Sequence, residues 1–173
     1  MNTCLICEYP TINIGKINFN KSCLDNEKKK KYIFLKSKKE IGYEECSNCG
    51  LIFSREMCSW EENKFKSQIY NEEYIKVDTD YKKIRPINTA NHLNNLLGKL
   101  PLSHLDYGSG NGLMSNVLKE YGWNYTAYDP FMGHKLPTNK FELITLIEVL
   151  EHHPNPVKLV TTLYDLLSNN GII

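Results

Sequence analysis

The spacing of apolar positions changes character twice along the 173-residue chain. Over residues 1–58, short strand-like runs such as Tyr32-Ile33-Phe34-Leu35 and Gly50-Leu51-Ile52-Phe53 stand among polar, lysine-rich stretches. Residues 59–99 place their apolar side chains at helical spacing in a polar background. Ser59 is the expected N-cap of a helix carrying Trp60, Phe65, Ile69 and Tyr70. A second helix is expected to start near Pro86, since proline suits a first helical turn, with Leu93, Leu96 and Leu97 as its buried stripe and Gly98 as its stop. From residue 100 to residue 173 the order becomes strand, glycine turn, helix, strand, which is the pattern of an α/β unit. In that unit a helix over Leu113–Glu120 turns Leu113, Val117 and Leu118 inward, and Asn124–Tyr128 is a strand. Phe141–Leu146 reads as a strand buried on both faces, as in a parallel sheet. A helix then follows Pro154 and Pro156, carrying Val157, Leu159, Val160, Leu163 and Leu166. Ser168-Asn169-Asn170-Gly171 is expected to end it, and Ile172-Ile173 to open another strand.

Composition excludes several classes. An apolar content of 41% supports a packed core rather than disorder, and a net charge of +1 gives no global pull toward nucleic acid or an anionic membrane. No apolar run approaches the roughly 20 residues that span a bilayer. Met1–Pro10 lacks the charged-then-apolar order of a secretory signal, so a cytoplasmic location is the expectation.

The six cysteines are not evenly spread. Cys4-Leu5-Ile6-Cys7 and Cys46-Ser47-Asn48-Cys49-Gly50 form two Cys-x-x-Cys pairs with 38 residues between them. A two-residue gap lets both thiolates of a tight turn face one ion, and Gly50 lets the chain turn back beneath it. Four thiolates supply the tetrahedral soft shell of a closed zinc site, which leaves no open position for catalysis. Disulfides and free thiols are the competing readings of these four residues. Cys23 and Cys58 have no partner at ligand spacing and read as buried thiols. Between the pairs, Lys28–Lys31 with Lys36, Lys38 and Lys39 read as a solvated hairpin; few aromatics stand near enough to stack bases.

Candidate chemistry centres on Leu105-Asp106-Tyr107-Gly108-Ser109-Gly110-Asn111-Gly112, between a strand and a helix. Glycines there permit positive φ and leave backbone open to a ligand, and the helix start offers unpaired N–H groups. A dinucleotide site shows Gly-x-Gly-x-x-Gly. Here the spacing is Gly-x-Gly-x-Gly, with an acid two residues ahead that can meet an ammonium group, which favours S-adenosylmethionine. Asp129, at the tip of the next strand, is placed to accept hydrogen bonds from both ribose hydroxyls.

Leu105–Gly112, Tyr128-Asp129-Pro130 and Glu148-Val149-Leu150-Glu151-His152 resemble the signatures of class I S-adenosylmethionine-dependent methyltransferases. The closest resemblance is to the branch with an N-terminal zinc-binding segment that often acts on sugars or other small molecules. Phe19–Cys23, Ile69–Ile75 and Asp78–Tyr81 resemble that branch too. The resemblance implies an α/β, Rossmann-like class I methyltransferase sheet preceded by a small zinc-ribbon-like segment. It implies that Asp106, Gly108, Ser109 and Gly110, with Gly112 closing the loop, line the methionine moiety. Asp129, followed by Pro130, would hold the ribose; Leu146, Ile147 and Glu148 would sit beside the sulfonium; Tyr70 and Tyr74 would form a lid. His152, at the mouth of a strand, is the candidate general base.

Two departures from that pattern stand out. The 11 residues between Asp129 and Phe141 are too few for a helix plus a third strand. The chain also stops where a fifth strand should begin, so an incomplete sheet is the expectation, with a partner chain or oligomer completing it. The function expected is methyl transfer to a small-molecule or sugar acceptor; the alternatives are an RNA methyltransferase and a non-catalytic zinc-stabilised binding module.

Overall fold

A computed structural model describes residues 2–98 and 103–173, with Glu62 by its backbone alone. The expected boundary at residues 99 and 100 lies outside the described residues. Two compact units are present, Met1–Asp78 and Thr79–Ile173.

The first unit is built on a three-stranded antiparallel sheet, β1 (Thr11–Asn18), β2 (Glu40–Cys46) and β3 (Ile52–Phe53), in the order β1-β2-β3. The first two strands lay outside the sequence reading, although Ile12 with Ile14 and Ile41 with Tyr43 alternate with polar residues or glycine at strand spacing. Tyr32–Leu35 is not a strand. Its backbone is captured by side chains instead: the Ile33 amide donates to Asp25 and the Leu35 carbonyl accepts from Asn20. A short helix, α1 (Arg55–Cys58), follows β3 with Ser54 as its N-cap. Ser59 closes α1 rather than opening the next helix, α2 (Glu62–Gln68). The reason is local, since Ser59 Oγ donates back to the Glu56 carbonyl. Trp60 is buried between Phe19 and Phe65, with ring centroids at 6.0 and 5.2 Å. Cys23 is exposed rather than buried, and Cys58 is half-buried.

The second unit opens with α3 (Ile84–Leu97), which has Pro86 in its first turn and ends at Gly98 with φ +66°. Its inward face runs through Ala90, Leu93 and Leu97, while Leu96 is exposed. Ala90 and Leu97 are seven apart, so the stripe follows two full turns, and Leu96 falls a residue off it. Four parallel strands follow: β4 (Ser103–Tyr107), β5 (Asn124–Tyr128), β6 (Phe141–Thr145) and β7 (Leu167–Ile172). Their order is β5-β4-β6-β7. Between β4 and β5 lies α4 (Leu113–Glu120), and between β6 and β7 lies α5 (Pro156–Tyr164).

Alternation along β4 divides the core into two layers. Leu105 and Tyr107 join Phe141, Ile144, Leu159 and Leu163 on the α5 side. His104 and Asp106 share the other face, near Trp123 and Tyr125, whose cluster includes Ala90, Met114 and Leu118. In α4 it is Met114, not Leu113, that is buried with Leu118, because those two are four apart on one stripe.

Ser168–Gly171 does not end the helix; α5 stops at Tyr164, and the four residues lie inside β7. Their turn chemistry survives as a large bulge: Phe141 pairs with Leu167 and Leu143 with Ile172. Asn170 adopts φ +65° to make it, and a Cβ on Gly171 would stand 2.9 Å from the Phe141 carbonyl oxygen. Between Asp129 and Phe141 the chain forms a single short 3-10 turn, Pro130–Met132, and no strand. Among the described residues no helix is long and apolar enough to cross a membrane.

Candidate functional site

Two constellations carry chemistry, one in each unit. In the first, the four cysteines predicted as ligands converge. The sulfurs of Cys4, Cys7, Cys46 and Cys49 all lie within 4.8 Å of one another. Cys4 and Cys49 are 3.7 Å apart, and Cys7 and Cys46 are 3.4 Å apart. A disulfide requires about 2.05 Å, and all four thiols are free. Metal–thiolate bonds of about 2.3 Å in a tetrahedron would put the sulfurs roughly 3.8 Å apart, so the cluster fits one metal ion.

The two Cys-x-x-Cys turns prepare these sulfurs for ionisation. Ile6 donates its amide to Cys4 Sγ, and Asn48 and Cys49 donate theirs to Cys46 Sγ, each at 3.4 Å. The Cys7 amide holds the Cys4 thiol below its ordinary range, and the Tyr9 amide lowers Cys7 to about 6. At Cys49 the Leu51 amide acts in the same direction. Desolvation and the three neighbouring sulfurs outweigh it and push that thiol up to about 12. A cation at the centre supplies the countercharge that lets all four ionise together.

In the second unit the glycine loop and the second-strand acid meet. The Gly110 amide donates to Asp129 Oδ2 at 2.8 Å, and the Phe131 amide donates to Asp129 Oδ1 at 2.8 Å. Each oxygen retains a lone pair for a further donor. The loop is drawn over β5 by two bonds, from the Gly108 and Ser109 amides to the Tyr128 carbonyl, at 2.8 and 3.0 Å. Gly108, Gly110 and Gly112 all have positive φ. Gly108 is needed twice over, because a Cβ there would stand 2.3 Å from a Val149 methyl. Pro130 starts the 3-10 turn that Asp129 caps.

Val149 therefore brings the chain that leaves β6 against the glycine loop. Leu146 is half-buried and packed on the α5-side core, whereas Ile147 and Glu148 are exposed beyond it. Glu148 adopts φ +55°, a conformation that costs a non-glycine residue free energy. Its carboxylate faces Arg85 at 3.9 Å. Asn111, on the glycine loop, donates to the Lys82 carbonyl at 3.1 Å. The loop and the β6 turn thus occupy the carboxyl ends of β4 and β6. There the sheet order reverses direction, which is where open α/β sheets form ligand crevices.

Asp106 sits deeper than its neighbours in the motif. Tyr125 donates to its Oδ2 at 2.7 Å and Thr145 Oγ1 to its Oδ1 at 3.0 Å. Burial pushes its carboxyl up to about 6 against those two hydrogen bonds, and the Asp129 charge adds to the rise. Thr145 spends its one proton on Asp106, so His104 Nε2, 2.9 Å away, must donate to Thr145. Burial alone lowers His104 to about 4, keeping the ring neutral. Sequence reasoning passed over this His104–Thr145–Asp106–Tyr125 chain. Its visible signal was His104 and Asp106, two polar residues two apart and so on one face of β4.

His152 lies in a 3-10 turn, Leu150–His152, with Nε2 3.7 Å from Glu151 Oε1. Burial lowers its pKa below the ordinary imidazole value, which favours the neutral, proton-accepting form. His153 Nδ1 accepts from the Asn155 amide. In the first unit Tyr70 and Tyr74 pack on each other at 5.0 Å, and Tyr74 OH donates to Asp78.

Residues 78–173 match a protein family described as "Methyltransferase domain". No curated protein matches the chain.

Proposed function

Because this chain belongs to the methyltransferase-domain family, we propose that it transfers the methyl group of S-adenosylmethionine to a small-molecule acceptor, such as a sugar, and carries a structural zinc ion. The observation that carries this reading is the 2.8 Å bond from the Gly110 amide to Asp129, which joins an open-backbone glycine turn to a carboxylate on one rim of a parallel sheet.

Bound S-adenosylmethionine supplies a methyl group on a sulfonium whose leaving group is already activated. The protein's part is alignment and exclusion of water. Asp129 would use its remaining lone pairs to hold the ribose hydroxyls. Gly108, Ser109, Gly110 and Gly112 offer bare backbone to the methionine end. Asp106 accepts from Tyr125 and Thr145, and its carboxylate would favour a positively charged ammonium at that end. Leu146, Ile147 and Glu148 would line the side of the site toward the sulfonium, and Pro130 sets the turn that Asp129 caps. Burial favours the neutral form of His152, which could take a proton from an acceptor hydroxyl. Cys4, Cys7, Cys46 and Cys49 would hold the zinc in a closed shell that leaves no open position for catalysis.

Titration calorimetry with S-adenosylhomocysteine tests the cofactor reading. The intact chain should bind it, and Asp129→Ala should weaken binding by at least about tenfold, the loss of charge-assisted hydrogen bonds. A folded protein with no measurable heat of binding would rule the reading out.

A further inference from the structure

The four-thiolate cluster is assembled from chain segments far apart in sequence, and one carboxylate collects them. Glu44 Oε1 accepts from Asn2 Nδ2 at 3.0 Å and from Arg55 Nε at 3.0 Å. Glu44 Oε2 accepts from Thr11 Oγ1 at 2.6 Å and from Arg55 Nη2 at 2.8 Å. Arg55 Nη2 also donates to the Thr3 carbonyl at 2.7 Å. The guanidinium lies over the Phe53 ring at 5.1 Å.

The positions of these donors are informative. Asn2 and Thr3 directly precede Cys4. Thr11 follows Cys7 on β1, Glu44 is two residues before Cys46 on β2, and Arg55 follows Cys49 past β3. Glu44 therefore ties together the chain entering and leaving the first ligand pair and the chain entering and leaving the second. Its carboxylate accepts four hydrogen bonds, and its side chain is 12% exposed against 37% for Arg55, so the pair is only partly solvated.

We propose that Glu44 and Arg55 are positioning residues for the metal: they fix the separation of the two Cys-x-x-Cys turns and thereby slow metal release. This rests on the zinc reading above. Neither residue reaches a sulfur. Both act through the backbone that carries the sulfurs, so their effect belongs to the lifetime of the bound ion.

The test is zinc release from the full-length chain into excess chromogenic chelator. Glu44→Gln and Arg55→Gln should each release zinc at least about tenfold faster, the scale on which outer partners of metal ligands act. Thr11→Val removes a single donor, keeps a β-branched strand residue and should fall between them and the parent chain. It remains informative if the stronger variants fold poorly. Lys39→Gln breaks another ion pair of the same unit, Lys39–Glu56 at 2.7 Å, and should release zinc at the parental rate. Parental rates in zinc-loaded Glu44→Gln and Arg55→Gln would overturn this proposal alone. A folded parent chain that takes up no zinc would overturn the zinc reading with it.

Discussion

A methyl group of Val149 fills the space where a side chain on Gly108 would begin: a Cβ built on the glycine stands 2.3 Å from Val149 Cγ2. Gly108 also holds φ +82°. Gly108→Ala should therefore destabilise the chain by about 2–4 kcal/mol, from overpacking and backbone strain together. Adding Val149→Ala should recover only the packing share, since the φ penalty persists. Urea titration of the two single variants and the double variant measures both parts. A fully additive double variant would show that the two residues do not press on each other.

The buried chain beneath the loop predicts a compensated pH response. His104 is held near 4 against 6.5 for a free imidazole, so its contribution to stability is lost as pH falls from 6.5 through 4. Asp106 is raised from 3.8 to about 6, so its contribution grows as pH falls through that window and is lost as pH rises through 6. Each is worth about 3 kcal/mol at full extent, with opposite signs. Relative to the parent, Asp106→Asn should lose stability between pH 6.5 and 4, and His104→Phe should gain it. Parallel pH–stability curves for all three proteins would contradict this.

At the cysteine cluster, Cys46→Ser should abolish zinc retention and lower the thermal midpoint of the first unit, because binding energy and folding energy are shared at such sites. Cys46 is buried, whereas Cys23 is exposed and outside the cluster. Cys23→Ser should leave metal content and midpoint unchanged. Elemental analysis and calorimetry of the purified variants decide it.

Glu148 holds φ +55° at the turn that leaves β6. Replacing it with glycine removes the cost of that conformation, and stability should rise by about 1 kcal/mol. Cofactor affinity should fall in the same variant, because the carboxylate and its contact with Arg85 are gone. A gain in stability without loss of S-adenosylhomocysteine affinity would remove Glu148 from the cofactor site.

What was readable from sequence was the part written in local chemistry. Glycine turns, Pro86 in a first turn and the β5 span follow from backbone preferences and apolar runs that need no distant partner. The convergence of the four clustered cysteines was readable because two-residue spacing is itself a geometric constraint. Ser59, Leu113 and Ser168–Gly171 were misplaced where two local signals compete and packing decides between them. Ser59 ends one helix instead of starting another, Met114 displaces Leu113, and the Ser168–Gly171 turn is absorbed into β7 as a bulge because β6 pairs with Leu167 and Ile172 on either side of it.

The primary sequence alone therefore determined which residues could ligate a metal, which bends could expose backbone, and that the second half would be α/β. Tertiary structure alone decided that the Gly110 amide meets Asp129, that Val149 seals Gly108, that Asp106 is a buried member of a four-residue chain, and that Glu44 gathers the segments around the cysteines. Each of those contacts joins residues on different elements. Their distance is set by strand order and layer packing, which no local pattern in the chain encodes.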